Sequence, residues 1–600
     1  MEEYTPSEEE QKIVTYWKAQ WENANKAKAD RQAVIDNCYK FYKGDHLTLA
    51  QKLKKHGPKS KRNYIFTSVE DTVALLTDNN PSFGCWPRDN RDDIQIASKT
   101  KQVLQYVWEV TKMDEKLPMA TRDSIIGGIG GLKIDFDSQI NYPYGEINVS
   151  VVPAKYIYPD PDATSEDDCR FIIQRTPKPL WMIKKHQSGK GIYVKADDSI
   201  SMEPDSTTKS AETSREYMGT GAGVDAKHNR AWEYEIWVKD DSEHEEDEFP
   251  DEEKGYKKGD LKYPNGKKIV IAGDILLEDG GNPFEDGDHP FVFLHDYEQT
   301  DSFWSLGDVE NIIDINEDIN KIVSRLNEYV KNTCHTTIVY DEECGIDEKS
   351  VNNLEGNIIK KNAAGTVQVV PPPSWPGFIF EILTVWKQDT ELSTGTREVL
   401  QGRSPKAGTS GAAFERLQEF ALSRVRKRAR NVDNALVRVG KKFVSRIRQF
   451  YPENRQIRIT GDFPITTPEG QPMMENGQQM FRNYDFIDFS GNDLRREDGR
   501  NVELDVILEV GSAATVTRNQ DRVDAAWLFE KGIIDREEVA RRYDISNFKE
   551  IKARMEAEQL KMMQQQAQIQ AQANLEAQMK GGGPGAPTGA EIPNNGQISF

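Results

Sequence analysis

A single apolar stripe runs from Phe414 to Phe450 through Leu417, Ala421, Val425, Ala429, Val432, Leu436, Val439, Phe443 and Ile447. Its steps average about 3.6 residues, the period of a helix that buries one side. The loop before it, Gly402-Arg-Ser-Pro405-Lys-Ala-Gly408-Thr-Ser410-Gly411, is rich in small residues. The spacing predicts a helix over 414–451, capped by Thr409 or Ser410 and stopped at Pro452. At 1.5 Å per residue that helix is about 57 Å long, far beyond the usual three or four turns. A rod of that length has to hold something large together.

Its other faces are basic. Eleven Lys or Arg residues (Arg416, Arg424, Arg426, Lys427, Arg428, Arg430, Arg438, Lys441, Lys442, Arg446, Arg448) stand against Glu415, Glu419 and Asp433, in a chain whose net charge is -21. They either contact phosphates or pair with acidic neighbours, within the subunit or across an interface. Because they encircle the rod and form no single stripe, pairing is the favoured reading.

Six hundred residues exceed what one core can hold, so several domains are expected. A hydrophobic content of 37% and a charged content of 30% describe a soluble chain. No apolar run approaches the roughly 20 residues that span a bilayer, and the start Met-Glu-Glu-Tyr lacks the features of a signal peptide. Five scattered cysteines (Cys38, Cys85, Cys169, Cys334, Cys344) have no zinc spacing and are expected to be reduced thiols of a cytoplasm. An acidic pI near 5.1 argues against coating nucleic acid by bulk attraction.

The chain opens with a helix capped by Ser7 and Glu10, with an apolar face at Ile13, Trp17, Trp21, Ala24, Ile35, Cys38 and Phe41 and a stop at Gly44. A second helix follows Asn63, with Val69, Val73 and Leu76 inward, and closes at Asn80-Pro81. A third covers about 93–116, and a short fourth begins near Pro118. Gly127-Gly-Ile-Gly-Gly131 then leads into strands at 132–137 and 146–152. It completes neither a phosphate loop nor a dinucleotide fingerprint, so it reads as a tight helix-to-strand turn. The acids from Asp160 to Asp168 lack the glycine and the terminal glutamate of a calcium loop and read as a capped turn. Residues 187–230 read as a mobile insertion, 232–238 as a strand, and the acid run 240–253 as a solvated loop. Strands are expected at 268–277 and 291–294.

From Asp308 a second periodicity appears. Val309, Ile312, Asn316, Ile319, Val323, Leu326 and Val330 form a heptad seam with one Asn. Glu310, Asp314, Glu317, Asp318 and Glu328 lie outside it, opposed by Lys321, Arg325 and Lys331. Strands at 336–340, 357–360 and 367–370 follow, then a helix from Phe378 to about Leu392. Beyond Pro452, strands at 455–460 and 504–510 flank a polar region. A helical block over 516–557 has Val523, Ala526, Trp527 and Phe529 packed locally. A Gln- and Met-rich segment at 558–579 precedes a compositionally disordered tail.

Long helix, small β-rich insertion, helix, Gly-rich loop and very long basic helix is an arrangement that resembles the portal proteins (head-to-tail connectors) of tailed bacteriophages. The residues that carry the resemblance are Phe41-Tyr-Lys-Gly44, Asn63-Tyr-Ile65, Asn80-Pro81, Gly128-Ile-Gly-Gly-Leu-Lys133, Tyr158-Pro-Asp-Pro161, Thr409-Ser-Gly411 and Gly532-Ile-Ile-Asp535, over about residues 30–550. The insertion at 187–260 and the tail after 558 depart from it. The resemblance implies an α+β multidomain subunit of a ring, usually a dodecamer. Its wing would be 1–305 with 412–511, its stem helices 306–333 and 377–394, its β-rich clip 334–376, its channel loop 395–411 and its crown 512–579, before a tail at 580–600. It also implies a place at one capsid vertex of the virion after assembly in host cytoplasm, and passage of double-stranded DNA during packaging and ejection. The implied partners are the terminase large subunit, head-tail adaptor or tail proteins, and the major capsid and scaffolding proteins, with no membrane.

The residues agree with a conduit on physical grounds, because a wall that neutralised phosphates would hold the duplex. Glu310, Asp314, Glu317 and Asp318 suit a repelling channel lining, and Arg397, Arg403 and Lys406 are the cations expected near DNA. No catalytic motif is present and none calls for a metal or cofactor, so the chain is read as no enzyme. The rival reading is an oligomeric nucleic-acid-binding scaffold that uses the basic helix 414–451.

Overall fold

The computed structural model describes residues 4–46, 60–77, 81–88, 93–186, 188–197, 230–244, 248–251, 254–256, 258–334, 337–341, 366–370, 377–394, 411–451, 455–464, 474–475, 478–479, 481–496, 500–508 and scattered positions between 525 and 555. The chain divides into two compact units, one of Met1–Ile457 with Ile487–Val516 and one of Arg458–Phe486 with Thr517–Phe600.

The first unit begins with α1 (Glu8–Tyr42), whose capping box forms as the sequence requires. Ser7 Oγ accepts from the Glu10 N–H (3.2 Å), and Glu10 accepts from the Ser7 N–H (3.1 Å). There follow α2 (Tyr64–Thr77), β1 (Phe83–Pro87), α3 (Ile94–Val110), α4 (Met113–Gly127), β2 (Ile129–Asp137), β3 (Glu146–Val152), β4 (Ile157–Pro159), β5 (Phe171–Pro179) and β6 (Arg230–Val238). The expected helix over 93–116 is two helices. Lys112, in the left-handed region at φ 54°, ends the first, and the second runs through Pro118. The acid run carries a short hairpin, β7 (Glu248–Asp251) with β8 (Lys254–Tyr256), where a loop was expected. The single strand expected over 268–277 is likewise a hairpin, β9 (Lys267–Ala272) and β10 (Ile275–Gly281), turning at Gly273. After β11 (Phe291–His295) come a 3-10 turn at Val309–Asn311 and α5 (Ile313–Cys334). Beyond them lie the antiparallel pair β12 (Thr337–Tyr340) and β13 (Val367–Val370), then α6 (Phe378–Thr394) and α7 (Gly411–Phe450). The strand expected at 357–360 and the caps Thr409 and Ser410 lie outside the described residues.

A five-stranded sheet in the order β10-β9-β6-β5-β4 packs on the first half of α1, burying Val14 and Ala24 against Ile173, Ile236, Ile269 and Ile271. A three-stranded sheet, β11-β2-β3, lies against α3, α4 and α7 in the main core, with Leu104, Trp108, Leu132, Ile134, Val292, Val439, Phe443 and Ile447. The helix-to-strand turn sits where three backbones cross. Gly128 has φ 87°, and a Cβ there would lie 2.0 Å from the Ser305 carbonyl oxygen, while one on Gly130 would lie 1.9 Å from that of Ala120. Only glycine fits those contacts. The turn at 160–168 is closed by Asp168, which accepts from the N–H groups of Thr164 (3.2 Å) and Ser165 (2.8 Å).

The two-stranded sheet that crosses α7 joins segments far apart in the chain. β1 pairs antiparallel with β18 (Leu504–Leu508), Phe83 opposite Leu508 and Pro87 opposite Leu504. Gly440 lets α7 approach this sheet, since a Cβ there would come within 2.7 Å of Val506. β14 (Arg455–Pro464) pairs with β17 (Phe481–Phe489), and β15 (Met474–Glu475) with β16 (Gln478–Gln479). Trp527 and Phe529, expected to be packed, are exposed, and Ala525 is the buried position there. Cys38, Cys85 and Cys169 are buried, and burial pushes the Cys169 thiol up to about 11.

Lys28 fastens α1 to the loop before β4. Its Nζ donates to the carbonyls of Ala154 (2.7 Å) and Ile157 (2.9 Å) and stands 4.4 Å from the Tyr158 ring centre, with no carboxylate in hydrogen-bond reach. Burial pushes this ammonium down to about 7. Between that pH and the unfolded value near ~10.4 the unfolded chain binds the extra proton, so stability rises with pH through this window. Unfolding free energies of wild type and Lys28→Met, compared from pH 7 to 10, are expected to show wild type gaining on the variant as pH rises, because the variant lacks this slope.

Candidate functional site

Four of the basic residues of α7 pair with carboxylates of the same subunit. Arg428, 1% exposed, donates from Nε to Asp296 Oδ1 (2.5 Å), from Nη2 to Asp296 Oδ2 (3.1 Å) and from Nη1 to Asp308 Oδ2 (3.1 Å). Arg438 reaches Glu166 (2.7 Å) and the Phe293 carbonyl (3.1 Å). Lys442 holds Asp288 and the His289 carbonyl, and Arg446 donates to Asp286 (2.7 Å) with its guanidinium 3.4 Å from the Phe284 ring centre. Pairing within the subunit is therefore the correct reading for these four. Arg426, Lys427, Arg430 and Lys441 remain on the exposed side; the side chains of 411–424, including Arg416 and Arg424, lie outside the described residues.

Two carboxylates share Arg428. Burial outweighs the pull of the guanidinium on Asp296, the charge of Asp308 adds to the burial, and the carboxyl is pushed up to about 7. Asp308 stands at the entry to the 3-10 turn and α5, so this cluster ties the long basic helix, the end of β11 and the root of the acidic helix into one knot.

The acidic lining expected on α5 is thinner than the sequence suggests. Glu310 belongs to the 3-10 turn, binds Arg31 and accepts from the Gly307 N–H (3.0 Å), and its side chain is 17% exposed. It is a tether between α1 and the helix root and leaves the outward set. Asp314 is exposed, while Glu317 and Asp318 flank Lys321 at 3.5 and 2.8 Å. Arg397, Arg403 and Lys406 lie outside the described residues.

The seam of α5 is a mixed surface. Val309, Ile312 and Ile319 are buried. Asn316, placed there as a coiled-coil specificity residue, instead accepts from the Tyr64 N–H (3.3 Å). Toward the end the seam emerges, with Val323 and Leu326 half-buried and Val330 exposed.

One constellation has the composition of a nucleophile relay: Ser305 Oγ is 2.8 Å from His295 Nδ1, and His295 Nε2 is 3.4 Å from Glu166 Oε1. Ser305 is 2% exposed beneath the glycine crossing, and Arg438 holds the other oxygen of Glu166, so no reachable nucleophile results. A cleft of about 500 Å³ opens beside the C-terminal half of α7, lined by both signs of charge, among them Arg88, Glu166, Asp288, Lys441, Arg448 and Glu503. Among the described residues no group of three or more His, Cys, Asp or Glu is set to hold a metal ion, and no helix is long and apolar enough to cross a membrane.

A family model described as phage P22-like portal protein matches residues 18–583. No curated protein matches the chain significantly.

Proposed function

Since the chain belongs to the phage P22-like portal protein family, we propose that copies of it close into a ring, a dodecamer by the resemblance, at one capsid vertex. Double-stranded DNA passes through this ring during packaging and ejection. The family is structural and not enzymatic. In this reading the wing comprises 1–305 with 412–511, the stem 306–333 and 377–394, the clip 334–376, the channel loop 395–411 and the crown 512–579. The clip docks the terminase large subunit during packaging and adaptor or tail proteins afterwards. Major capsid and scaffolding proteins surround the ring in the virion, and assembly takes place in host cytoplasm.

The observation that supports closure is the uncovered apolar surface of the α5–α6 pair. These helices pack on each other, yet Phe378 (58%), Phe380 (57%) and Val385 (50%) on α6 and Val330 (51%) on α5 stay exposed. α6 is apolar around most of its circumference over 378–386, which suits a helix covered from more than one side. A head-to-tail neighbour covers the remaining side, and a rotation that closes gives a ring. Electron microscopy of the purified protein is the direct test. Annuli with a hole as wide as a duplex are expected, and a stable solitary subunit under assembly conditions would sink the reading.

Asp314, Glu317 and Asp318 would face the DNA without gripping it, and Arg397, Arg403 and Lys406 would touch its phosphates. Replacing those three cations with Ala is expected to lower DNA retention in assembled particles. Packaging and retention at wild-type level would remove them from the site. The scaffold alternative is weakened because Arg428, Arg438, Lys442 and Arg446 are occupied by carboxylates of the same subunit.

A further inference from the structure

We propose that His46 is a proton-operated latch that fastens the segment 60–64, which leads into α2, to α5, and that protonation of its ring releases the segment. The inference concerns a single subunit and holds or fails independently of ring closure.

His46 is buried just beyond α1, its ring stacked on Phe41 with centroids 5.1 Å apart. Nε2 lies 2.9 Å from the Phe41 carbonyl oxygen, which can only accept, so Nε2 carries the hydrogen and Nδ1 the lone pair. That lone pair accepts from the amide groups of Asn320 (2.9 Å) and Asn316 (3.3 Å). With each Nδ2 committed to the ring, each Oδ1 faces the neighbouring backbone. Asn320 Oδ1 accepts from the Arg62 N–H (2.7 Å) and Asn316 Oδ1 from the Tyr64 N–H (3.3 Å). One turn further along, Ser324 Oγ accepts from the Ser60 N–H (3.1 Å). The spacing explains why this works. Asn316, Asn320 and Ser324 follow one another at steps of four, about 6.0 Å of helix each, so one polar stripe on α5 meets the alternate N–H groups of Tyr64, Arg62 and Ser60.

A proton on Nδ1 removes the only acceptor that the two amides share and puts a donor in its place. Both amides must then turn their oxygens to the imidazolium, which sets their NH2 groups against the N–H groups of Arg62 and Tyr64. One proton thus breaks the two contacts at the ring and the two at the backbone. The charged neighbours of the ring are Asp45, from the end of α1, which favours the cation, and Lys61, from the segment, which opposes it. α5 presents the neutral amides. Burial dominates and holds the imidazole below its ordinary value, so the latch is closed at neutral pH and opens in acid.

Hydrogen–deuterium exchange of the full chain, read on a peptide spanning 60–66 between pH 7.5 and 5 and corrected for intrinsic rates, tests this. Wild type is expected to lose protection by about tenfold or more, with a midpoint below the usual histidine value of about 6.5. His46→Gln, which does not titrate, should show no such loss. Asn320→Asp should reverse the sign, because its carboxylate accepts from both the imidazolium and the Arg62 N–H, so protection increases in acid. Flat wild-type protection, the same loss in His46→Gln, or an unchanged sign in Asn320→Asp would overturn the proposal. The last arm remains decisive if His46→Gln does not fold.

Discussion

Arg428→Met is expected to destabilise the subunit by about 3–5 kcal/mol, because it strands two buried carboxylates without their shared cation. Asp296 and Asp308 are 2% and 3% exposed, so water cannot replace the guanidinium. Removing the acids along with the cation, in Arg428→Met with Asp296→Asn and Asp308→Asn, should restore most of the loss, since an uncharged set of similar volume carries no such penalty. The pH dependence follows from the raised carboxyl of Asp296. Its folded value of about 7 lies above the unfolded value of about 3.9. Between the two the folded state holds a proton that the unfolded state has lost, so its contribution to stability falls as pH rises through that window. Without the guanidinium the variant's carboxyls hold their protons to still higher pH, so it keeps losing stability where wild type has levelled off, and its deficit in denaturant unfolding should be smaller at pH 5 than at pH 8. A deficit under 1 kcal/mol at pH 8 would show that the cluster is not the fastening described here.

The double variant Phe380→Asp, Val385→Asp is expected to abolish ring assembly while leaving the subunit folded. Each apolar side chain contributes about 1.5–3 kcal/mol when fully covered, and in a ring the loss recurs at every interface, where a buried carboxylate adds a desolvation cost. Both side chains are already exposed in the single subunit, so the circular dichroism spectrum and unfolding midpoint should change little. Sedimentation velocity would show subunits under conditions where the proposed wild-type ring forms. Rings at wild-type protein concentration would mean that another surface closes the circle.

Much of the frame was legible because it rests on local periodicity. The stripe on α7, the Ser7–Glu10 box and the strands at 132–137 and 146–152 follow from spacing alone, although the first strand begins earlier, at Ile129. The inward charges of α7 had a signal that a charge count overlooks. Arg428, Arg438, Lys442 and Arg446 each immediately precede a stripe residue, Ala429, Val439, Phe443 and Ile447, and so lie along one flank of the buried face. Asn316 had a related signal. A heptad reading isolates it, whereas Asn316, Asn320 and Ser324 at steps of four form the polar stripe that receives the 60–64 backbone. Other features left no local trace. Nothing near Lys112 marks a helix break, since neither Gly nor Pro stands there, and Glu310 shows its role only beside Arg31. Phe83–Pro87 is too short to read as a strand until its distant partner is known.

That distant partner sets a timetable for the growing chain. Phe83 waits for Leu508, and α7, which both strands flank, is itself made late. At ribosomal speeds of about 5–20 residues per second, β1 stays unmatched for roughly 20–85 s after it is synthesised. A chain cut short before residue 504 can never close this seam. The fold thereby carries its own check on completeness, since a truncated copy leaves the flank of α7 without one of its two strands.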